Sequence, residues 1–328
     1  MDAPCVRVAR ERGEETRRAL ADADLVAENV EIDAADGDLY IPVVDPDAVP
    51  DEYELVHRDL PERSTPEMPA DILGYDPSLE RLGDIVIVDE DDPERAREIA
   101  DAVVESALPV ETVLNRASKI KGETRVRDWD VLAGDSAETV HREYGCEFAV
   151  DLAEMYFSPR LATERHRVAE QIDPDERVFD MFAGVGPYAV PAAERGATVV
   201  GTDVNERAID YFRKNAERNG VADRVTAIAG DVREAAPEYE NWADRIVMNL
   251  PHSADEFLDT AVALASDDCL LHFYDIQHED DPYGPGEAAI REAAEPEYEV
   301  TVENAHTVRS YAPHELNVCL DVRLVANE

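Results

Sequence analysis

The sequence predicts an α/β protein. Its C-terminal half reads as a Rossmann-like, doubly wound domain, and two small α+β domains precede it. Three observations carry this reading. From about residue 158, short apolar runs alternate with amphipathic helical stretches, the pattern of a mostly parallel sheet covered by helices. Successive apolar runs end on glycine, aspartate or asparagine. The last two runs follow each other with no helix between them, so they form an antiparallel hairpin at the C-terminus of a seven-stranded sheet.

The elements follow in order. Residues 1–60 hold short strand-like runs at 5–9, 30–32 and 39–44 and one helical stretch at 13–23, separated by Gly and Asp-Pro signals. Residues 61–69, "PERSTPEMP", have three prolines and almost no apolar residues, the composition of a linker. The second domain, 70–157, opens with the strand "DIVIV" at 84–88. A helix at 92–106 follows, with Asp92 as N-cap and Pro93 in its first turn. The strands "ETVLNR", "TRVRDWDVL", "ETVHRE" and "CEFAVD" complete it. In the third domain, 158–328, helices are expected at 159–171, 187–195, 206–219, 254–265 and 286–294. Its strands are expected at 177–181, "ATVVGTD", "RVTAIAGD", "DRIVMN", "CLLHFYD", "YEVTVENAH" and "ELNVCLDVRLV".

The charge balance bears on habitat. Among 328 residues there are 76 acids and 31 bases, for a net charge of −45. Lysine occurs only at Lys119, Lys121 and Lys214. The acids are spread throughout, so they do not form a disordered tail. An acidic, lysine-poor chain suits a cytoplasm of molar salt, where a Debye length of about 3 Å screens self-repulsion. We read the protein as haloarchaeal in type and cytoplasmic. Four scattered cysteines without C-x-x-C spacing speak against a zinc site or a disulfide framework. No run approaches a membrane span.

Ligands of doubly wound sheets sit beyond the C-terminal ends of the strands. The first strand of the third domain runs into "DMFAGVGPYAV" (180–190), where Gly184 and Gly186 allow close backbone approach. The second ends on Asp203, placed to accept from a ribose diol. The third ends on Asp231, placed to accept from an adenine amino group. The fourth, "IVMNLPH" (246–252), ends on Asn249. Each residue alone suits an ordinary turn or helix cap; four such tips in succession do not reduce to capping. Gly184, Gly186 and Ala189 also fit the G-x-G-x-x-A form of a dinucleotide fingerprint, so the glycines leave NAD open.

The surrounding residues separate the two cofactors. "FAGVGP" followed by Asp203, Asp231 and an N-x-P strand end resembles class I methyltransferases that use S-adenosylmethionine. More specifically, "DMFAGVGPYAVPAA", "MNLPHSADEFLD", "VRSYAPHE" and "MYFSPRLATERHRVAE" resemble the archaeal and eukaryotic tRNA guanine-37 N1-methyltransferases. "CVRVARERGEETRRAL" and "KIKGETRVRDWDVLAG" are similar to that family's first and second domains, so the resemblance spans almost the whole chain.

The resemblance implies methyl transfer from S-adenosylmethionine to N1 of guanosine 37 in tRNA, by an enzyme acting as a monomer without a membrane or an obligate protein partner. Guanine N1 carries a proton, so the reaction needs a base and a group that stabilises charge on O6. By spacing alone Glu164 forms an i,i+4 pair with Arg160; the resemblance instead makes it the general base. It likewise gives Arg125 the O6 charge and Asn249 the guanine, with Tyr156 as a support. The cofactor contacts expected are Arg165, Phe182, Gly184, Gly186, Asp203, Val204, Asp231, Val232, Asn249 and Pro251.

Residues 115–127, "NRASKIKGETRVR", concentrate base in an acidic chain and read as a phosphate-binding patch or as a strand with solvated bases. The target base is expected to leave its stack to reach the site. Related readings remain: an aminocarboxypropyl transferase acting at the same tRNA position, a methyltransferase that also takes a tricyclic guanine derivative, and a tRNA-binding protein without catalysis. The N-x-P ending also resembles that of adenine amino-group methyltransferases, which usually close on an aromatic where this chain has His252.

Overall fold

A computed structural model describes residues 1–63, 66–118 and 127–327. The chain divides into two compact units, Met1–Ile72 and Leu73–Glu328.

The first unit is a four-stranded antiparallel sheet with one helix. Its elements are β1 (Asp2–Ala9), α1 (Gly13–Asp22), β2 (Asp33–Ala35), β3 (Asp38–Pro42) and β4 (Glu54–Asp59), in the sheet order β2-β3-β1-β4. Val6, Leu20, Ile41 and Val43 form its main core. The strand expected at 30–32 is absent. Val30 closes a turn by donating its N–H to the Ala27 carbonyl (3.2 Å), and it makes only an isolated bridge with Glu62. β4 escapes the hydrophobic pattern because "ELVHRD" is largely charged and lies at a solvated edge. A short helix, α2 (Pro69–Leu73), follows.

The second unit begins with β5 (Leu79–Leu82), β6 (Ile85–Val88), α3 (Pro93–Glu105), β7 (Thr112–Arg116) and β8 (Trp129–Ala133), with the strands in that order in one sheet. Asp92 caps α3 by accepting from the Glu94 N–H at 2.9 Å, with Pro93 in the first turn. A hairpin of β9 (Glu138–Glu143) and β10 (Cys146–Asp151) comes next. Leu82, Ile85 and Leu114 share one core with Phe148, Val190 and Phe212.

The remaining elements are α4 (Ala162–Ala169), β11 (Arg177–Asp180), α5 (Ala189–Glu194), β12 (Thr198–Asp203), α6 (Glu206–Arg218), β13 (Val225–Ala229), α7 (Val232–Ala235), β14 (Ala243–Met248), α8 (Leu258–Leu264), β15 (Ala265–His278), α9 (Gly284–Ala294), β16 (Tyr298–Ala312) and β17 (Glu315–Ala326). Two expected helices are shorter than their patterns. A 3-10 turn, Pro159–Leu161, precedes α4, and another, Ala254–Phe257, precedes α8.

The large sheet has seven strands in the order β13-β12-β11-β14-β15-β17-β16. β13 through β15 are parallel, and the hairpin of β16 and β17 is antiparallel, with β17 against β15. β14 is almost wholly buried, as expected of a parallel strand covered on both faces. Strand order reverses between β11 and β14, so the crevice beyond their C-terminal ends is the place for a ligand.

Candidate active site

A cavity of about 590 Å³ opens at that reversal. Phe182, Gly184, Asp203, Val204, Asp231 and Val232 line one half, and Asn249 and Pro251 continue the wall on the far side of β11. Gly184 has φ +53° and donates its N–H to Asp203 Oδ2 at 2.8 Å; Asn205 N–H donates to Oδ1, also at 2.8 Å. Burial pushes the Asp203 carboxyl up, and these two hydrogen bonds oppose the rise. Each oxygen keeps further acceptor capacity. Gly186 is not part of the wall. Its φ is +85°, and a Cβ there would lie 2.3 Å from the Phe212 ring. This glycine therefore lets the turn pack against α6.

Asp231 caps α7 and is clamped by its own neighbour. It accepts from the Arg233 N–H (2.9 Å) and from the guanidinium Nη2 (2.5 Å). The Arg233 side-chain bond holds its carboxyl below the usual range. Asn249 makes no side-chain hydrogen bond among the described residues. The Pro251 carbonyl accepts from the Ile276 N–H (3.1 Å), tying the "NLPH" turn to β15.

Glu164 lies on α4 outside the cavity wall, only 7% exposed. The Arg160 partner expected from spacing is engaged elsewhere, with Glu80 at 3.0 Å. Glu164 instead accepts from Arg167 (2.8 and 3.0 Å) and from the Tyr274 hydroxyl (2.7 Å), and meets His306 Nε2 at 2.9 Å. Burial pushes its carboxyl up, but the bonds to His306, Arg167 and Tyr274 outweigh this and hold it at about 2. Arg167 also grips Asp321 (2.6 Å), and Asn304 donates to Asp321 (3.1 Å) and faces His306 Nδ1 (3.2 Å). These contacts close a ring around Glu164. From Asp321 a buried chain continues to His272 (2.6 Å), Arg245 (2.8 Å) and Glu176 (2.8 Å). Sequence reading missed this network because its members lie on α4, β14, β15, β16 and β17.

Arg165 touches the cavity, but its guanidinium is bound to Glu143 through two 2.6 Å bonds and to the Ser158 carbonyl at 3.1 Å. Tyr156 lines the wall. Arg125, Lys119 and Lys121 lie outside the described residues. Of the basic stretch, Arg116 is spent on Glu80 (2.5 Å) and Asp89 (2.6 Å), and Arg127 stands over the Trp129 ring at 5.4 Å. Asp180, at the end of β11, was also missed. It is 1% exposed, and its Oδ2 has no partner among the described residues. Burial pushes its carboxyl up to about 7. The only sequence signal was an acid closing an apolar strand. A second cavity of about 270 Å³ adjoins the first and shares Tyr156, Ser158, Arg309 and Tyr311 with it.

Residues 139–302 match the TRM5/TYW2 methyltransferase domain, 5–51 the tRNA methyltransferase 5 N-terminal domain, and 62–137 the TYW2 N-terminal domain. The tRNA (guanine(37)-N(1))-methyltransferase Trm5b of Pyrococcus abyssi is 38% identical, over 97% of this chain and 98% of its own. The tRNA(Phe) (4-demethylwyosine(37)-C(7)) aminocarboxypropyltransferase of Pyrococcus horikoshii is 34% identical, over 83% and 95%. The structure also resembles that of aTrm5 in complex with tRNALeu, with a TM-score of 0.74 and 29% identity over 97% of this chain and 99% of the other. On this similarity across nearly its full length, the chain belongs to the TRM5/TYW2 methyltransferase family.

Proposed function

We propose that this enzyme transfers a methyl group from S-adenosylmethionine to N1 of guanosine 37 in tRNA. The observation that carries the reading is the place of Asn249. Its amide, without a hydrogen bond among the described residues, stands just beyond the end of β14, between two groups of residues. On one side are the glycine and acid tips of β11, β12 and β13, and on the other is β15, whose Tyr274 helps to cage Glu164.

The cavity fits the cofactor. A Cβ at Gly184 would meet only Asp203 Oδ2, at 4.0 Å, so the backbone there is open to close approach. The volume suits a ligand of nucleoside size. The cofactor supplies an electrophilic methyl group when bound; the chain's residues do the rest. Asp203 accepts from ribose hydroxyls. Asp231 offers its remaining lone pairs to an amino group. Phe182, Val204, Val232 and Pro251 form the wall. Asn249 donates to and accepts from the guanine edge at once, and Arg125 stabilises charge on O6. Glu164 receives the N1 proton. Held at about 2, its carboxylate is ionised at neutral pH but weakly basic, so proton transfer requires entry of the guanine to displace one of its donors.

In the same reading, residues 1–60 recognise tRNA away from the target base, 70–157 shape the RNA side of the site, and 158–328 carry the chemistry. The acidic, lysine-poor composition fits an enzyme working in the cytoplasm of a haloarchaeal-type cell, and the resemblance to the family implies that it acts as a monomer. Counterion release contributes little there, so shape and base contacts dominate recognition. No helix among the described residues is long and apolar enough to cross a membrane.

The test is an incubation with unmodified tRNA transcript and S-adenosylmethionine labelled separately in the methyl and aminocarboxypropyl carbons, with the product nucleoside identified by mass spectrometry. Methyl label in 1-methylguanosine is expected, and none with adenosine at position 37. A second incubation uses tRNA carrying 4-demethylwyosine at position 37, the base named for the Pyrococcus horikoshii relative; aminocarboxypropyl label there, with no 1-methylguanosine from the unmodified transcript, would transfer the chain to the other activity found among its relatives.

A further inference from the structure

β16 carries three register irregularities against β17, and the last falls between Ser310 and Ala312. The residue it displaces is Tyr311. A bulge of this kind re-aims a side chain. Here the re-aimed ring lines both cavities, at the wall they share. It is 43% exposed, a large aromatic left open at the mouth of a binding site.

The ring is also tethered. Tyr311 Oη lies 3.1 Å from His252 Nε2, and the two rings meet edge to face, with centroids 5.3 Å apart and planes at 74°. His252 closes the "NLPH" turn three residues after Asn249. The turn that presents the guanine-facing amide therefore also fixes the hairpin aromatic. Beside it on β16, Arg309 faces the same two cavities without a carboxylate partner among the described residues. In a chain of net charge −45, an arginine without a carboxylate partner among the described residues, set beside an open aromatic, makes a surface suited to a nucleotide: a flat face for a base and a cation for its phosphate.

We propose that Tyr311 is the platform on which the extruded target guanine stacks, and that His252 sets the angle of its ring. This rests on the reading of the site as a guanosine-37 methyltransferase. Stacking would hold the base on the RNA side of the cavity while Asn249 and Glu164 engage its edge. The geometry assigns His252 to positioning, through its edge-to-face ring contact with Tyr311 and the weaker help of its bond to Oη.

The test compares Tyr311→Ala, Tyr311→Phe and His252→Ala in the full chain, under single-turnover conditions with a tRNA transcript carrying guanosine 37. Tyr311→Ala is expected to lower the single-turnover rate constant divided by the apparent Kd for tRNA by about 10- to 100-fold, the range of one lost base–aromatic stack. Tyr311→Phe keeps the ring and recovers most of that loss, and His252→Ala falls between the two. Affinity for S-adenosylmethionine, measured by calorimetry, stays at the wild-type value in all three and reports an intact fold. With 2-aminopurine at position 37, bound fluorescence is expected to be brighter in Tyr311→Ala than in the wild type, because the base loses its stacking partner. The proposal is overturned if Tyr311→Ala works within twofold of the wild type, or if Tyr311→Phe is as impaired as Tyr311→Ala. A wild-type rate for His252→Ala removes the positioning role. If the wild type itself makes no 1-methylguanosine, the underlying reading of the site fails; an active wild type with an equally active Tyr311→Ala defeats this inference alone.

Discussion

The two halves of the large sheet build their polar groups in different ways. On the β13-β12-β11 side, each key group sits at or just beyond the end of its own strand, and its partners lie no more than 19 residues away. Asp203 is held by the Gly184 and Asn205 N–H groups, and Asp231 by Arg233 two residues on. On the β15-β17-β16 side, each group depends on partners from distant segments. Glu164 is held by residues 3, 110 and 142 positions away, and Asp321 by Arg167, 154 positions away. The first half resembles a set of independent tips, the second a single cooperative network. Loss of one member should therefore affect ligand binding in the first half and the fold in the second.

The largest expected effect tests the network. Arg167→Met leaves Glu164 (7% exposed) and Asp321 (3% exposed) as buried carboxylates without their shared cation. Stability should fall by about 3–5 kcal/mol, read from denaturant unfolding at constant salt. A loss below about 1 kcal/mol would show that the ring is not cooperative.

The tip half predicts the opposite behaviour. Asp203→Ala should weaken S-adenosylmethionine binding by about 10- to 100-fold, the scale of lost hydrogen bonds to a charged group, and leave the fold largely intact. Calorimetry checks the first statement and a thermal melt the second. Unchanged affinity would remove Asp203 from the cofactor site.

Acid sharpens the contrast because the Glu164 cage and the buried Asp180 titrate in opposite senses. Glu164 is depressed to about 2 from an ordinary value near 4.5, and Asp321 is depressed as well. Their stabilisation is present above the unfolded values and is lost as pH falls through about 4.5 toward 2. Asp180 is raised to about 7. Its contribution is present below the unfolded value near 4 and is lost as pH rises through about 7. Asp180→Asn should therefore flatten the decline in stability between about pH 4 and 7 and leave the acid limb unchanged. An unaltered slope in that window would contradict the assignment. The smallest effect is expected from Arg160→Ala, which removes a half-exposed arginine from Glu80 while Arg116 keeps that carboxylate paired, and should cost less than about 1 kcal/mol.

The same contrast explains what could be read from the sequence. Alternating strand and helix patterns, the Asp92 cap and the tips at Gly184, Asp203, Asp231 and Asn249 depend on spacing within a few residues, so they were legible. The Glu164 cage depends on register between β15, β16 and β17, and three irregularities in β16 place residues where simple alternation cannot. Reading Arg160 as the partner of Glu164 failed for the same reason: Glu80, distant in sequence, takes the arginine, and Arg167 takes the glutamate. β4 was hidden by its charged edge. The packing of Gly186 against Phe212 was not legible, because it needs the position of α6.

The central claim is that Glu164 removes the N1 proton. Single-turnover methyl transfer by Glu164→Gln, at neutral pH with saturating S-adenosylmethionine and tRNA, tests it most directly. A rate about 10²- to 10⁴-fold below the wild type is expected, with cofactor affinity little changed. A rate near the wild type, with 1-methylguanosine as the product, would contradict it.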